Sequence, residues 1–182
     1  MRKLAIALAA TLCVALSAPI PVHATIETPE AKEQAADAAA NARQDMIEVF
    51  GEKELKPGQY LWREGANPRG EVQVVIGLSD QLAYLYRGGE LVAVSTISSG
   101  TERNPTPTGI FPILEKKPIH RSQKYDNAPM PFMQRIDQYG IALHAGHLPG
   151  YAASHGCIRL PAKFAARLYK VTALGSTVVI GA

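Results

Sequence analysis

Residues 141–161 read IALHAGHLPGYAASHGCIRLP, and the rest of the chain can be read outward from them. This stretch holds three of the five histidines, His144, His147 and His155, together with Cys157. A thiolate is a strong nucleophile, but an ordinary thiol with a pKa of about 8.5 is only slightly ionised at neutral pH, so a reactive cysteine needs an imidazole or a helix N-terminus nearby. His155 stands two residues before the sulfur and Gly156 directly before it. The glycine allows a sharp turn that frees backbone N–H groups to face an oxyanion. Residues 139–144 read as a strand on which Ala142 and His144 share a face, so His144 should emerge at a strand end.

Downstream, Pro161 should start a helix that turns Phe164, Ala165, Leu168 and Tyr169 inward, with Gly175 ending it before a last strand at 177–180. Upstream, residues 116–138 read as irregular, with Pro118, Pro129 and Pro131, and suit a loop that crosses a groove. His120 reads there as a solvated loop histidine, and Met130, Phe132 and Met133 as packing residues. Further back, Val72, Val74 and Ile76, then residues 82–86, then residues 91–97 after Gly88-Gly89, are short β-branched and aromatic runs separated by turn residues. They predict a β-meander. Pro105 and Pro107 stiffen a loop ahead of a strand at 110–114, and the residues of that loop read as a plain turn. The expected fold is mainly β, a sandwich or barrel with one C-terminal helix.

Residues 1–24 begin with Arg2 and Lys3, continue through an apolar run at 4–16 and close on Val22-His23-Ala24. This is the pattern of a secretory signal peptide, and the run falls short of the roughly 20 residues that span a bilayer. Cys13 lies inside it without the small residue a lipoprotein cysteine needs before it. Cleavage after Ala24 would leave Cys157 alone in an oxidising compartment, where a lone thiol is either buried and inert or reactive by purpose. It would also take the formal charge from +3 to +1 by removing Arg2 and Lys3, which argues against nucleic acid as a partner. Residues 25–70 then read as an alanine-rich, partly helical spacer whose late apolar residues Met46, Ile47, Val49 and Phe50 dock one end, followed by a connector. Gly51, Pro57, Gly58, Asn67-Pro68 and Gly70 punctuate that connector, and its Tyr60 and Trp62 are read as packing residues. The catalytic unit is expected at 71–182.

The run SHGCIR at 154–159, preceded by His144 at the end of an apolar strand and by TPTG at 106–109, resembles the L,D-transpeptidase catalytic domain family of bacterial cell-wall enzymes. The resemblance extends from about residue 72 to the C-terminus, with a shorter interval from His144 to Ser154 than the family usually has. It implies acyl transfer on peptidoglycan with Cys157 as nucleophile. His144 matches the family's base by position, with the Ala145 carbonyl orienting its ring. His155 ranks second as base or holds the site by hydrogen bonds, and the shortened loop leaves His147 as a further candidate. Ser154 fixes the turn, while Gly156 and Cys157 lend N–H groups to an oxyanion hole. Arg159 has two readings, bidentate recognition of a stem-peptide carboxylate or tying the loop down.

The implied reaction is attack on the third residue of a tetrapeptide stem, loss of the terminal D-alanine and formation of a thioester. A neighbouring stem amine would resolve it into a 3→3 cross-link, a lipoprotein lysine into an anchored protein, and water into an L,D-carboxypeptidase product. The partners implied are peptidoglycan stem peptides or a lipoprotein acceptor in the periplasm. No metal or organic cofactor is required, and carbapenems should acylate Cys157. Two readings from other classes stand beside this one: a zinc site built from His144, His147, His155 and Cys157, and a peptidoglycan-binding module without turnover.

Overall fold

The computed structural model describes residues 25–65 and 68–182. The expected signal peptide at 1–24 and Asn67 of the connector lie outside the described residues.

The first element, α1 (Pro29–Phe50), starts where the chain supplies a cap. Thr28 accepts the Ala31 N–H at 3.3 Å, Pro29 takes the first helical position and Glu30 lies in the first turn. Gly51, at φ 78°, ends the helix and donates its N–H to Ile47 at 2.9 Å. The strands are β1 (Tyr60–Trp62), β2 (Val72–Gly77), β3 (Leu82–Arg87), β4 (Glu90–Thr96), β5 (Gly109–Pro112), β6 (Glu115–Lys117), β7 (Met133–Arg135), β8 (Ala142–Ala145) and β9 (Ile158–Leu160). Helix α2 (Ala162–Val171) and strand β10 (Thr177–Gly181) follow.

Two sheets result, one in the order β1-β4-β3-β2-β10-β5 and the other β6-β7-β8-β9. The predicted meander is β2-β3-β4, and the predicted helix after Pro161 is α2. The stretch read as irregular contains two short strands, β6 and β7. They are three residues each, are set among prolines and carry charged residues, so no β-branched alternation marked them.

Strand β2 shows how the core divides. Val74 and Ile76 enter an inner cluster with Leu143, Ile158, Leu160, Phe164 and Leu168, while Val75 faces an outer cluster beneath α1. That alternation is the two-residue period of a strand buried on both faces. The helix contributes Ala35, Ala39, Ala42 and Met46, one stripe at helical spacing, against Val75, Tyr84, Val94 and Val179. The backbones approach closely enough that a Cβ on Gly181 would lie 2.3 Å from the Ala35 carbonyl oxygen. Thus α1 docks along its length, where the sequence suggested a spacer attached at one end. Small side chains buy this proximity, and their burial is visible only once the glycine opposite is known. Tyr60 and Trp62 do pack, with ring centroids 5.6 and 5.9 Å from Phe164.

The sheets are stitched together just past β4. Ser98 and Arg159 exchange two backbone hydrogen bonds of 3.0 Å, and Gly100 bridges Ser154. The chain leaving the first sheet therefore lies along β9, the edge of the second, and the segment carrying Cys157 is held at the seam.

Candidate active site

The second sheet supplies the floor of the site. Its ladder places Glu115 opposite Arg135, Arg135 opposite Ala142, Lys117 opposite Met133, and His144 opposite Arg159. Residues paired across strands share a face, so Glu115, Lys117, Met133, Arg135, His144 and Arg159 look into one groove of about 1200 Å³. The alternate residues Gln134, Leu143 and Ile158 point the other way and are fully buried. Cys157 immediately precedes β9 and lines the groove two residues before Arg159. The chain between β6 and β7 forms a further wall. It is tied down by the Met130 N–H to the His120 carbonyl at 2.9 Å and by the Ala145 N–H to the Pro131 carbonyl at 2.8 Å.

The turn that presents the sulfur is clamped from several directions. Ser154 Oγ donates to the Cys157 carbonyl at 2.5 Å and accepts the Gly156 N–H at 3.1 Å. The Ser99 carbonyl accepts the N–H groups of Ala153 and Ser154 at 3.0 and 2.9 Å. Thr106, only 5% exposed, donates its hydroxyl to the Gly156 carbonyl at 2.8 Å and accepts the Gly100 N–H at 2.8 Å. Gly156 has φ 108°, and a Cβ there would sit 2.6 Å from Ile141 Cδ1, so both conformation and space require glycine.

The expectation for the oxyanion donors needs correcting. The Gly156 N–H is spent on Ser154, so Gly156 is a turn residue and not a free donor. In a trans peptide the C=O and N–H point in opposite directions. With the Gly156 carbonyl held by Thr106, the Cys157 N–H of that same peptide is turned away from Thr106, and it has no acceptor among the described residues.

His144 is 7% exposed, with Nδ1 2.8 Å from the Ala145 carbonyl. A carbonyl only accepts, so Nδ1 carries the proton and Nε2 keeps a lone pair. Burial pushes the His144 pKa below the ordinary histidine range; the Ala145 carbonyl pulls it up, and Arg159 and His120 push it further down. Burial pushes the half-buried Cys157 thiol above the ordinary thiol range. The backbone of Ala142 lowers it, the Asp137 carboxylate raises it and Arg159 lowers it. Both net shifts favour uncharged forms, so the resting pair is a thiol and a neutral imidazole.

The other predicted residues fall into place around this pair. His155 is exposed and stacks on Tyr125 with centroids 4.3 Å apart at 21°, joining the Cys157 turn to the opposite wall. His147 is exposed on the groove lining. His120, read as a solvated loop residue, lines the groove and its field reaches His144. Arg159 lies over Gly146, where a Cβ would be 3.0 Å from Arg159 Cγ, and its guanidinium has no ion-pair partner among the described residues. Among the described residues no three His, Cys, Asp or Glu side chains are arranged to hold a metal ion.

Sequence reasoning missed Thr106 and Asp137. Asp137 Oδ1 accepts the N–H groups of Tyr139 and Ile141 at 2.9 and 2.8 Å, shaping the turn that leads into β8. An aspartate five residues before a strand is a weak signal for such a turn.

The YkuD family, the L,D-transpeptidase catalytic domain, matches residues 71–180. Among solved structures, the chain is similar to an L,D-transpeptidase from Mycobacterium smegmatis at 23% identity, with a TM-score of 0.57 over 62% of this chain and 59% of that one. It is also similar to an L,D-transpeptidase from Stackebrandtia nassauensis at 20% identity, TM-score 0.58, over 76% and 65%. A third is L,D-transpeptidase 3 from Mycobacterium tuberculosis in complex with a faropenem-derived adduct, at 22% identity, TM-score 0.57, over 62% and 60%. These likenesses are likenesses of fold. The chain spans about three-fifths of the length of most of the solved chains it matches, and no curated protein matches it significantly.

Proposed function

The chain belongs to the L,D-transpeptidase catalytic domain family, and from that premise we propose that it is a peptidoglycan L,D-transpeptidase working through a Cys157 thioester. The observation that carries this reading is the fixed ring of His144, whose Nδ1 is committed to the Ala145 carbonyl, leaving Nε2 as the basic nitrogen on the groove that Cys157 also lines. The neutral resting pair fits a mechanism in which His144 removes the thiol proton as the sulfur attacks.

The S–C bond forms at the carbonyl of the third stem residue, and the carbonyl oxygen becomes an oxyanion for which the Cys157 N–H, without an acceptor among the described residues, is a free donor. Collapse breaks the C–N bond to the terminal D-alanine, whose amine takes the proton from His144 and leaves. The thioester is then attacked by an acceptor amine, His144 takes up the amine proton, and the sulfur leaves and is reprotonated. The acceptor is a stem amine, a lipoprotein lysine or water, and the enzyme half of the chemistry is common to all three. The proposed place of work is the periplasm, reached by way of the leader at 1–24.

Mass spectrometry of purified disaccharide-tetrapeptide, incubated with the protein and with Cys157→Ala, tests the proposal. A cross-linked dimer lacking one D-alanine, or a tripeptide monomer, formed only by the unmutated protein is the expected result. Absence of both products, together with no carbapenem adduct mass on Cys157, would sink it.

A further inference from the structure

The groove floor carries a second cationic position that the Cys157–His144 chemistry does not use. Arg135 is paired with Ala142 on β8, and Lys117 stands two strands from His144 on the same face. At a strand spacing of about 4.8 Å, the Arg135 backbone lies roughly 10 Å across the sheet from the Cys157 segment and the Lys117 backbone roughly 10 Å from His144. Glu115 sits between the two cations, with Oε1 2.6 Å from Lys117 Nζ and Oε2 2.9 Å from Arg135 Nε. Held by Lys117 first and Arg135 second, its carboxyl drops to about 2, so it stays an anion at any working pH and offsets only one of the two cations.

Arg135 Nη1 is spent on the Asp137 carbonyl at 2.7 Å, but Nη2 has no partner among the described residues, and Lys117 keeps half of its side chain open to solvent. The imbalance extends to the whole lining, where Lys117, Lys124, Arg135 and Arg159 face only Glu115 and Asp126. A concave surface with surplus positive charge concentrates anions, and a guanidinium beside an ammonium is suited to a carboxylate.

Building on the acyl-transfer reading of this site, we propose that Lys117 and Arg135 form a carboxylate-binding subsite that selects donor peptides carrying an acidic group away from the carbonyl attacked by Cys157. Arg159, two residues along β9 from Cys157, is a separate cationic station on the same floor. By strand spacing and rise the Arg135 and Arg159 backbones stand roughly 12 Å apart, about the reach of three or four extended residues. One stem peptide can therefore address both.

The test uses synthetic stem tetrapeptides in which each free carboxylate is converted, one at a time, to the carboxamide. Amidation at the position read by this subsite should lower kcat/KM of the unmutated protein about tenfold, the loss of one charge-assisted contact. Lys117→Gln and Arg135→Gln should abolish that acid preference and leave the preference at every other carboxyl intact. Lys117→Gln guards against a folding artefact, because the Lys117 side chain is half exposed and Glu115 is its one ion-pair partner among the described residues. Equal losses on acid and amide peptides, or an acid preference that survives both substitutions, would overturn the proposal. Calorimetry of the same peptides with Cys157→Ala, alone and combined with Lys117→Gln, separates it from the catalytic reading. Acid-selective binding that disappears with Lys117→Gln supports the subsite even if no turnover is found, and non-selective binding refutes the subsite even if turnover is found.

Discussion

Thr106 does for the Cys157 turn what no residue within the SHGC string can do, because it grips the turn from outside. Its hydroxyl satisfies the Gly156 carbonyl and the Gly100 N–H together, at the crowded point where a Cβ on Gly100 would lie 2.8 Å from Gly156 Cα. Thr106→Val keeps the shape and removes both contacts. Leaving two buried backbone groups unpaired should cost about 1–3 kcal/mol in chemical denaturation. It also releases the peptide that aims the Cys157 N–H, so acylation should slow by about tenfold or more. Thr106→Ser should restore both. The pH profile of Cys157 alkylation supplies the control. Burial, Ala142, Asp137 and Arg159 set that thiol and none is touched, so the midpoint should stay above the ordinary thiol range in all three proteins. A midpoint that moves with Thr106→Val would show that the threonine tunes the sulfur instead of holding the turn. The sequence made Cys157, His144 and Ser154 legible because their chemistry is compressed into one stretch. It made Thr106 look like an ordinary turn residue because its partner lies 50 positions away, and no local pattern encodes such a contact.

At the scale of elements, α1 is the part whose place in the fold was least legible. Its alanine content announced a partly helical segment, but alanine is equally at home on a solvated face, and only Met46 is a large side chain among its five fully or nearly buried residues. The structure makes this helix the cover of the six-stranded sheet's outer face, over Val75, Leu82, Tyr84, Val94 and Val179. Tyr86 adds a directional tie through its hydroxyl to Asp45 at 2.6 Å. Met46→Ala should therefore cost about 2–5 kcal/mol by cavity formation, a loss read as a lower denaturant midpoint at unchanged slope. A helix docked only by its last turn would also bury Met46, so the discriminating position is the fully buried Ala35. There Ala35→Leu should cost about 1–3 kcal/mol by overpacking against the sheet, and only about a few tenths if that end were free. A small effect would return α1 to the role of a spacer and make residues 71–182 a self-sufficient unit. The short strands β6 and β7 were illegible for the opposite reason: β8 offers β7 an edge and β7 offers one to β6, and their residues show no β preference of their own.

At the scale of the whole molecule, the site exists only where two sheets meet. Cys157 and Arg159 belong to the edge of the four-stranded sheet, yet the clamps on that edge, Ser98, Ser99, Gly100 and Thr106, come from chain leaving or approaching the six-stranded one. Beneath the seam both sheets and α2 share one inner cluster, so neither sheet can lose its partner without exposing Val74, Ile76, Leu143 and Ile158 at once. Such sharing predicts a single cooperative transition. The one tryptophan is well placed to check it, since Trp62 lies on the edge strand β1 of the six-stranded sheet, packed on Phe164 and beneath the Arg167 guanidinium at 3.8 Å, and so reports on that sheet and α2. In urea, Trp62 fluorescence, far-ultraviolet circular dichroism and carbapenem acylation of Cys157, sampled at each concentration, should change at one midpoint. Acylation lost well before fluorescence would mean that the four-stranded sheet opens while the first sheet and α2 remain folded. The seam would then be a hinge, and the turn at Cys157 would owe its geometry to local clamps alone.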